Sequence, residues 1–242
     1  MLVVVASRYD EAARSLVDRW ANQEARLLTC EDLSVVGWRY SVSGKDEVSS
    51  SLLDSTAVVD GQVVGVEEIS GILTRLPCVF EQELLHIVPG DRAYVASEMN
   101  AFLISWLSGL KCPVLNRPTP SYLLGPNWRH QQWVYAAAQV DIPVRQVHQR
   151  IALGAEELPQ APEVSPVTVT VVGDRIFGSV DRVLATQARC LADVAGVDLL
   201  AVHFSGNESN AEFLGADLLP DISSSDIAEA ILEYLSTGKG KC

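Results

Sequence analysis

The chain has 242 residues, 48% hydrophobic and 20% charged, the balance of a water-soluble globular protein with enough core for one large domain or two lobes. Its formal net charge of −13 argues against nucleic acid or an anionic membrane as the main partner, since both demand a concentrated positive surface. Five scattered cysteines without C-x-x-C spacing indicate neither a disulfide framework nor a zinc site, and no apolar run reaches the ~20 residues that span a bilayer.

Leu2–Ala6 is apolar and β-branched, the pattern of a buried strand opening an α/β domain. It meets Ser7, Arg8 and Asp10 too soon for a signal sequence, so the chain reads as cytoplasmic. Asp10–Trp20 places Ala13, Leu16, Val17 and Trp20 on one helical face. Short strands are expected at Arg26–Leu28 and Val35–Val42, and Asp60-Gly61 between Val-rich flanks predicts a type I′ hairpin over Ala57–Val66. Gly71–Leu76 reads as a strand, Tyr94–Leu110 as a long helix, Pro113–Leu115 as a strand and Asn127–Val140 as a helix rich in Trp and Ala. This alternation gives an α/β first half.

Beyond Pro143 comes a Pro/Glu-rich linker, Gly154–Pro166, then a hairpin around Gly173-Asp174 with arms Val167–Val172 and Arg175–Val180. Val183–Ala195 is amphipathic through Leu184, Ala188, Leu191 and Ala195, with Gly196 placed to end it. Leu199–Phe204 and Ala211–Leu219 read as antiparallel strands joined by the polar segment Ser205–Asn210. A last helix carries Ile227, Ile231, Tyr234 and Leu235 at helical spacing after an Asp/Ser-rich N-cap segment.

In parallel sheets the strand ends carry ligand groups, which singles out Arg75 after one strand and Asn116-Arg117 after another. The competing reading is that these arginines cap helices or pair with acids. His148 and His203 are candidates for a ligand or proton-transfer pair, although a histidine inside the apolar run LLAVHF is more often structural. Trp128 and Trp133 beside Arg129 and His130 could line a groove, with core packing preferred for Trp133. No Gly-x-Ser-x-Gly elbow or phosphate-binding glycine loop occurs.

Several of these segments together resemble one family. Arg75-Leu76-Pro77, the turn Val114-Leu115-Asn116-Arg117-Pro118 with its following helix, the hairpin VTVTVVGDRIFGS and the closing strand–loop–strand–helix are similar to the RimK-like and graspetide-type ATP-grasp ligases. The resemblance implies an N-terminal pre-ATP-grasp-like α/β lobe, residues 1–112, and a truncated ATP-grasp-like α+β lobe, residues 113–242. It also implies the loss of the central nucleotide-binding subdomain, for which the linker is too short. Where the family places a metal-binding acid and a Glu-x-Asn pair, this chain has His203, Gly215 and Asp217. Where a helix-opening Lys would fall it has Trp128-Arg129-His130, and no lysine lies between residues 112 and 238.

A Mg-bound triphosphate needs cationic donors and hard oxygen ligands, so neither ATP with Mg²⁺ nor any other cofactor or metal is expected here. The leading expectation is a non-catalytic relative, a pseudoenzyme that binds a protein, peptide or small molecule; the resemblance implies, by analogy, an accessory role in the biosynthesis of modified ribosomal peptides or another amide-ligase pathway. The alternative is an enzyme whose Arg75, Asn116, Arg117, Arg129, His203 and Asp217 converge between the lobes on an acidic substrate, or a divergent ATP-dependent carboxylate–amine ligase. A homo-oligomer that buries the shortened face is a third possibility.

Overall fold

A computed structural model of the chain describes residues 1–40, 55–145 and 166–238. They form two compact units, Met1–Asn127 with the segment from Asp221 onward, and Trp128–Pro220. The expected boundary after residue 112 therefore falls inside the first unit, and most of the linker Gly154–Pro166 lies outside the described residues, as does His148. None of the described helices is long and apolar enough to cross a membrane.

The first unit is built on a parallel sheet of β1 (Leu2–Val5), β2 (Arg26–Leu28), β5 (Gly71–Thr74) and β6 (Val114–Leu115), in the order β2-β1-β5-β6. β1 and β5 are buried at every position, as strands covered on both faces must be. Helix α1 (Glu11–Arg19) starts where the Asp10 carboxylate accepts the Ala13 N–H at 2.9 Å, and it buries Ala13 and Leu16, followed by Trp20. Helix α2 (Arg92–Gly109) buries Leu103, Trp106 and Leu107 in the core cluster of this sheet. The β3 (Thr56–Val59) and β4 (Gln62–Gly65) hairpin turns at Asp60 and Gly61, both left-handed at φ 53° and 68°, as a type I′ turn requires.

One expected strand is replaced. Of Val35–Val42, residues 35–40 are described and form no strand: a 3-10 turn at Asp32–Ser34 precedes them, and a single antiparallel bridge joins Arg39 to Thr56. Gly37 sits at φ 138° and the Trp38 indole donates to the Asp32 carbonyl at 2.8 Å, which folds the chain back on itself.

The second unit holds an antiparallel sheet in the order β10-β9-β7-β8, from β7 (Val167–Val172), β8 (Arg175–Phe177), β9 (Leu199–Phe204) and β10 (Phe213–Asp217). Register pairs Val169 with Val202 and Val171 with Leu200, giving one fully apolar face. Helices α3 (His130–Gln139) and α4 (Arg182–Ala195) pack on this sheet, burying Trp133, Ala136, Leu184, Ala188 and Leu191. Ala192 is buried where the spacing had pointed to Ala195, and Gly196 closes α4 at φ 67°. The final helix, α5 (Ser225–Thr237), does not extend this unit: it returns to the first and packs on β5.

Candidate functional site

The C-terminal edge of the parallel sheet gathers the groups that strand-end logic singles out. Pairing Leu73 with Leu115 brings Thr74 and Arg75 alongside Asn116, all three buried. The Arg75 guanidinium is committed: its Nε donates to Asp10 Oδ2 at 2.9 Å in a pair whose side chains are only 7% and 16% accessible. Asp10 thus caps α1 with one oxygen and holds Arg75 with the other. Breaking such a buried pair from one side costs about 3–5 kcal/mol. Asp221 belongs to the same neighbourhood. The backbone and side-chain hydrogen bonds of Ser223 hold its carboxyl below the ordinary value, and Arg75 adds a smaller attraction. The Thr74 hydroxyl is buried without a hydrogen-bond partner among the described residues.

Arg117 is engaged in a different way. Its Nη1 and Nη2 donate to the carbonyls of Leu107, Leu110 and Cys112 at 3.1–3.5 Å, closing the C-terminus of α2. A cation there satisfies carbonyls that the helix leaves open and complements its dipole. The helix-capping alternative describes Arg117, and the acid-pairing alternative describes Arg75.

In the second unit, Thr168, His203 and Gly215 lie in register across β7, β9 and β10 on the face opposite Val169 and Val202. His203 is half-buried, and its Nδ1 is hydrogen-bonded to Thr168 Oγ1 at 3.0 Å. A Cβ at Gly215 would meet nothing within 4 Å. Asp217 is exposed and accepts the Leu219 N–H at 2.8 Å in a local turn. Arg129 is exposed at the start of α3, where its N–H donates to Gln132 Oε1 at 2.9 Å. Trp128 and Trp133 form an edge-to-face pair at 4.8 Å, with Trp133 in the core.

Of the six residues singled out by sequence, Arg75, Asn116 and Arg117 therefore lie in the first unit, and Arg129, His203 and Asp217 in the second. Sequence reasoning missed Thr74, Asp10 and Asp221. Asp10 stood only as the first residue of an expected helix, and its hold on Arg75 spans 65 positions and leaves no local trace.

At His203, Gly215 and Asp217, where the resemblance would place the ligands of Mg²⁺, the described residues offer one imidazole and one carboxylate. His203 offers nitrogen already hydrogen-bonded on one side, Gly215 offers no ligand, and Asp217 is turned to its own backbone. Glu212 is paired with Arg145, and Arg189 with Asp174 and Asp193. Among the described residues, no three His, Cys, Asp or Glu side chains gather to hold a metal ion.

No protein-family model and no curated protein matches this sequence. Solved structures do match. The macrocyclase MdnC bound with precursor peptide MdnA from Microcystis aeruginosa MRC aligns at a TM-score of 0.63 and 13% identity, covering 97% of this chain and 99% of that one. The ATP-grasp ligase PsnB complexed with minimal precursor, Mg and ADP aligns at 0.61 and 13%, covering 96% and 97%. A RimK domain protein ATP-grasp from Sphaerobacter thermophilus DSM 20745 aligns at 0.51 and 14%, covering 97% and 98%. These alignments run nearly end to end over both chains, so they do not show the missing nucleotide-holding subdomain that the sequence pattern predicts. At such identities the likeness speaks for the fold, and the chain has the fold of the ATP-grasp ligases.

Proposed function

We propose that this protein recognises a peptide in a peptide-modifying pathway and does not itself carry out ATP-dependent ligation. The peptide link is supported by neighbours of the same fold, among them a macrocyclase solved with its precursor peptide and a ligase solved with its minimal precursor. The non-catalytic part is supported by one observation above the rest. The register positions His203, Gly215 and Asp217, together with a stretch from residue 112 to 238 that contains no lysine, supply neither a Mg²⁺ ligand set nor a phosphate grip. Arginine is the natural substitute cation; of the candidates, Arg145 is paired with Glu212, Arg175 lies over the Phe177 ring at 5.2 Å, and Arg182 is exposed at the start of α4 without the glycine-rich loop that would accompany a phosphate grip.

The reading of an enzyme with a repurposed site on an acidic substrate is disfavoured by the same commitments. Arg75 neutralises Asp10 and Arg117 closes α2, so two of its four basic anchors already serve the scaffold. Isothermal titration of the full chain with Mg-ATP tests the proposal. The expected outcome is no saturable heat, and a dissociation constant tighter than about 100 µM, about −5.5 kcal/mol, would refute it.

A further inference from the structure

The first unit carries an apolar groove that its own core leaves open. It measures about 520 Å³ and runs between the segment after Asp32–Ser34 and helix α2, with Trp38, Met99 and Phe102 beneath, Val35 and Val36 along one wall and Glu98 at the rim. Trp38 is fixed from both sides. Its Nε1 donates to the Asp32 carbonyl, and its ring meets Phe102 and Trp106 edge-to-face at 5.1 and 5.3 Å.

The wall is held equally firmly. Thr56 Oγ1 donates to the Gly37 carbonyl at 2.5 Å, Ser34 Oγ is hydrogen-bonded to His86 Nε2 at 2.8 Å, and Arg39 exchanges backbone bonds with Thr56. Gly37 lies so close to the β3–β4 hairpin that a Cβ would sit 2.4 Å from Val63 Cγ2. Yet this anchored segment presents Val36 at 94% exposure and Val35 at 42%. One exposed valine is ordinary, but two in succession on a fixed wall over an aromatic floor form a patch of the kind that marks an interaction surface. A rigid groove also spares a ligand the cost of ordering it.

Charge decides the occupant. Glu98 is exposed, with no hydrogen-bond or ion-pair partner among the described residues, and the chain carries a net charge of −13. A second copy of the chain would set acidic surface and unpaired Glu98 against their like, and an acidic peptide would be repelled similarly. We propose that this groove docks a peptide segment presenting an aliphatic side chain to Trp38 and Phe102, with a neighbouring Lys or Arg facing Glu98. This rests on the peptide-recognition reading above and narrows it to one surface.

Fluorescence anisotropy of the full chain with a labelled probe, Lys-Lys-Ser-Leu-Leu-Ser-Lys-Lys, tests it. The controls replace the leucines by glycine or the lysines by glutamate. The expected result is saturable binding of the probe, with both controls at least about tenfold weaker. Val36→Ser and Glu98→Lys both alter exposed side chains, so they preserve the far-ultraviolet spectrum and each weakens the probe by about tenfold. Equal binding of the three peptides, or indifference to Val36→Ser, overturns the proposal. So does displacement of the probe by a synthetic peptide of residues 41–54, or a dimer in light scattering that Val36→Ser dissociates, because either would assign the groove another occupant. Nucleotide titration is read separately: Mg-ATP binding with intact probe binding sinks the non-catalytic reading and leaves the groove standing.

Discussion

Cys30 shows how burial converts a reactive group into a packing element. It follows β2 at 1% exposure inside the first unit's core, and burial above all pushes its thiol from 9.0 up to about 12, with Glu83 adding to the effect. In the unfolded chain the thiol ionises near its ordinary value, whereas in the folded chain it stays neutral. Between pH 9 and 12 the unfolded state therefore holds fewer protons, and stability falls as pH rises through that window. Urea denaturation at pH 8 and pH 10.5 checks this: Cys30→Ala, compared with the parent at both values, should lose less stability on going to the higher pH. An identical loss in the two proteins would show that Cys30 does not sense the core. At this scale the sequence was partly legible. Composition alone marks a scattered cysteine as a small buried hydrophobe. Arg75 was located by strand-end logic, but its role was decided by Asp10, a contact that only the fold brings about.

Elements were easiest to read where one local rule sufficed. The Asp60-Gly61 turn follows from backbone sterics, and the helix ending at Gly196 follows from an apolar stripe closed by a left-handed glycine. The segment Val35–Val42 misled because its β-branched residues fit a strand, whereas Gly37 and the Trp38 indole impose a bend that propensity does not register. Helix α2 adds a dependence on a residue outside it. It ends at Gly109 without a left-handed cap, and Arg117 satisfies its last carbonyls from beyond the turn. Arg117→Ala should cost about 1 kcal/mol, less than a buried charged hydrogen bond because the side chain is exposed. Arg117→Lys should recover only part, since a single ammonium cannot span the same three carbonyls. The shift of the urea midpoint measures both. A stability-neutral Arg117→Ala would return this residue to the list of ligand-binding candidates.

At the scale of the whole chain, the second unit is an insertion. The first unit is left at Asn127 and re-entered at Asp221, and α5 completes it. Sequence order suggested instead that this helix closes the second lobe, because strand, loop, strand and helix follow one another without a break. What sequence does not display is the close fit at Gly71. A Cβ there would sit 3.0 Å from Leu235 Cβ and 3.1 Å from its carbonyl oxygen, so β5 and α5 meet backbone to side chain. Ala230, Ile231, Tyr234 and Leu235 are all buried, and stripping such side chains from a packed sheet forfeits roughly 1.5–3 kcal/mol for each large one. A chain ending at Pro220 should therefore lose the first unit's cooperative fold. Hydrogen exchange followed by mass spectrometry would show amides of β1, β5 and α2 exchanging at least about a hundredfold faster. Amides of β7, β9 and α4 should keep their protection, because those elements pack on one another through Val169, Val171, Leu184, Leu191, Leu200 and Val202. Equal loss in both sets would show that the two units fold as one cooperative body. Unchanged protection throughout would show that α5 is dispensable to the sheet on which it packs.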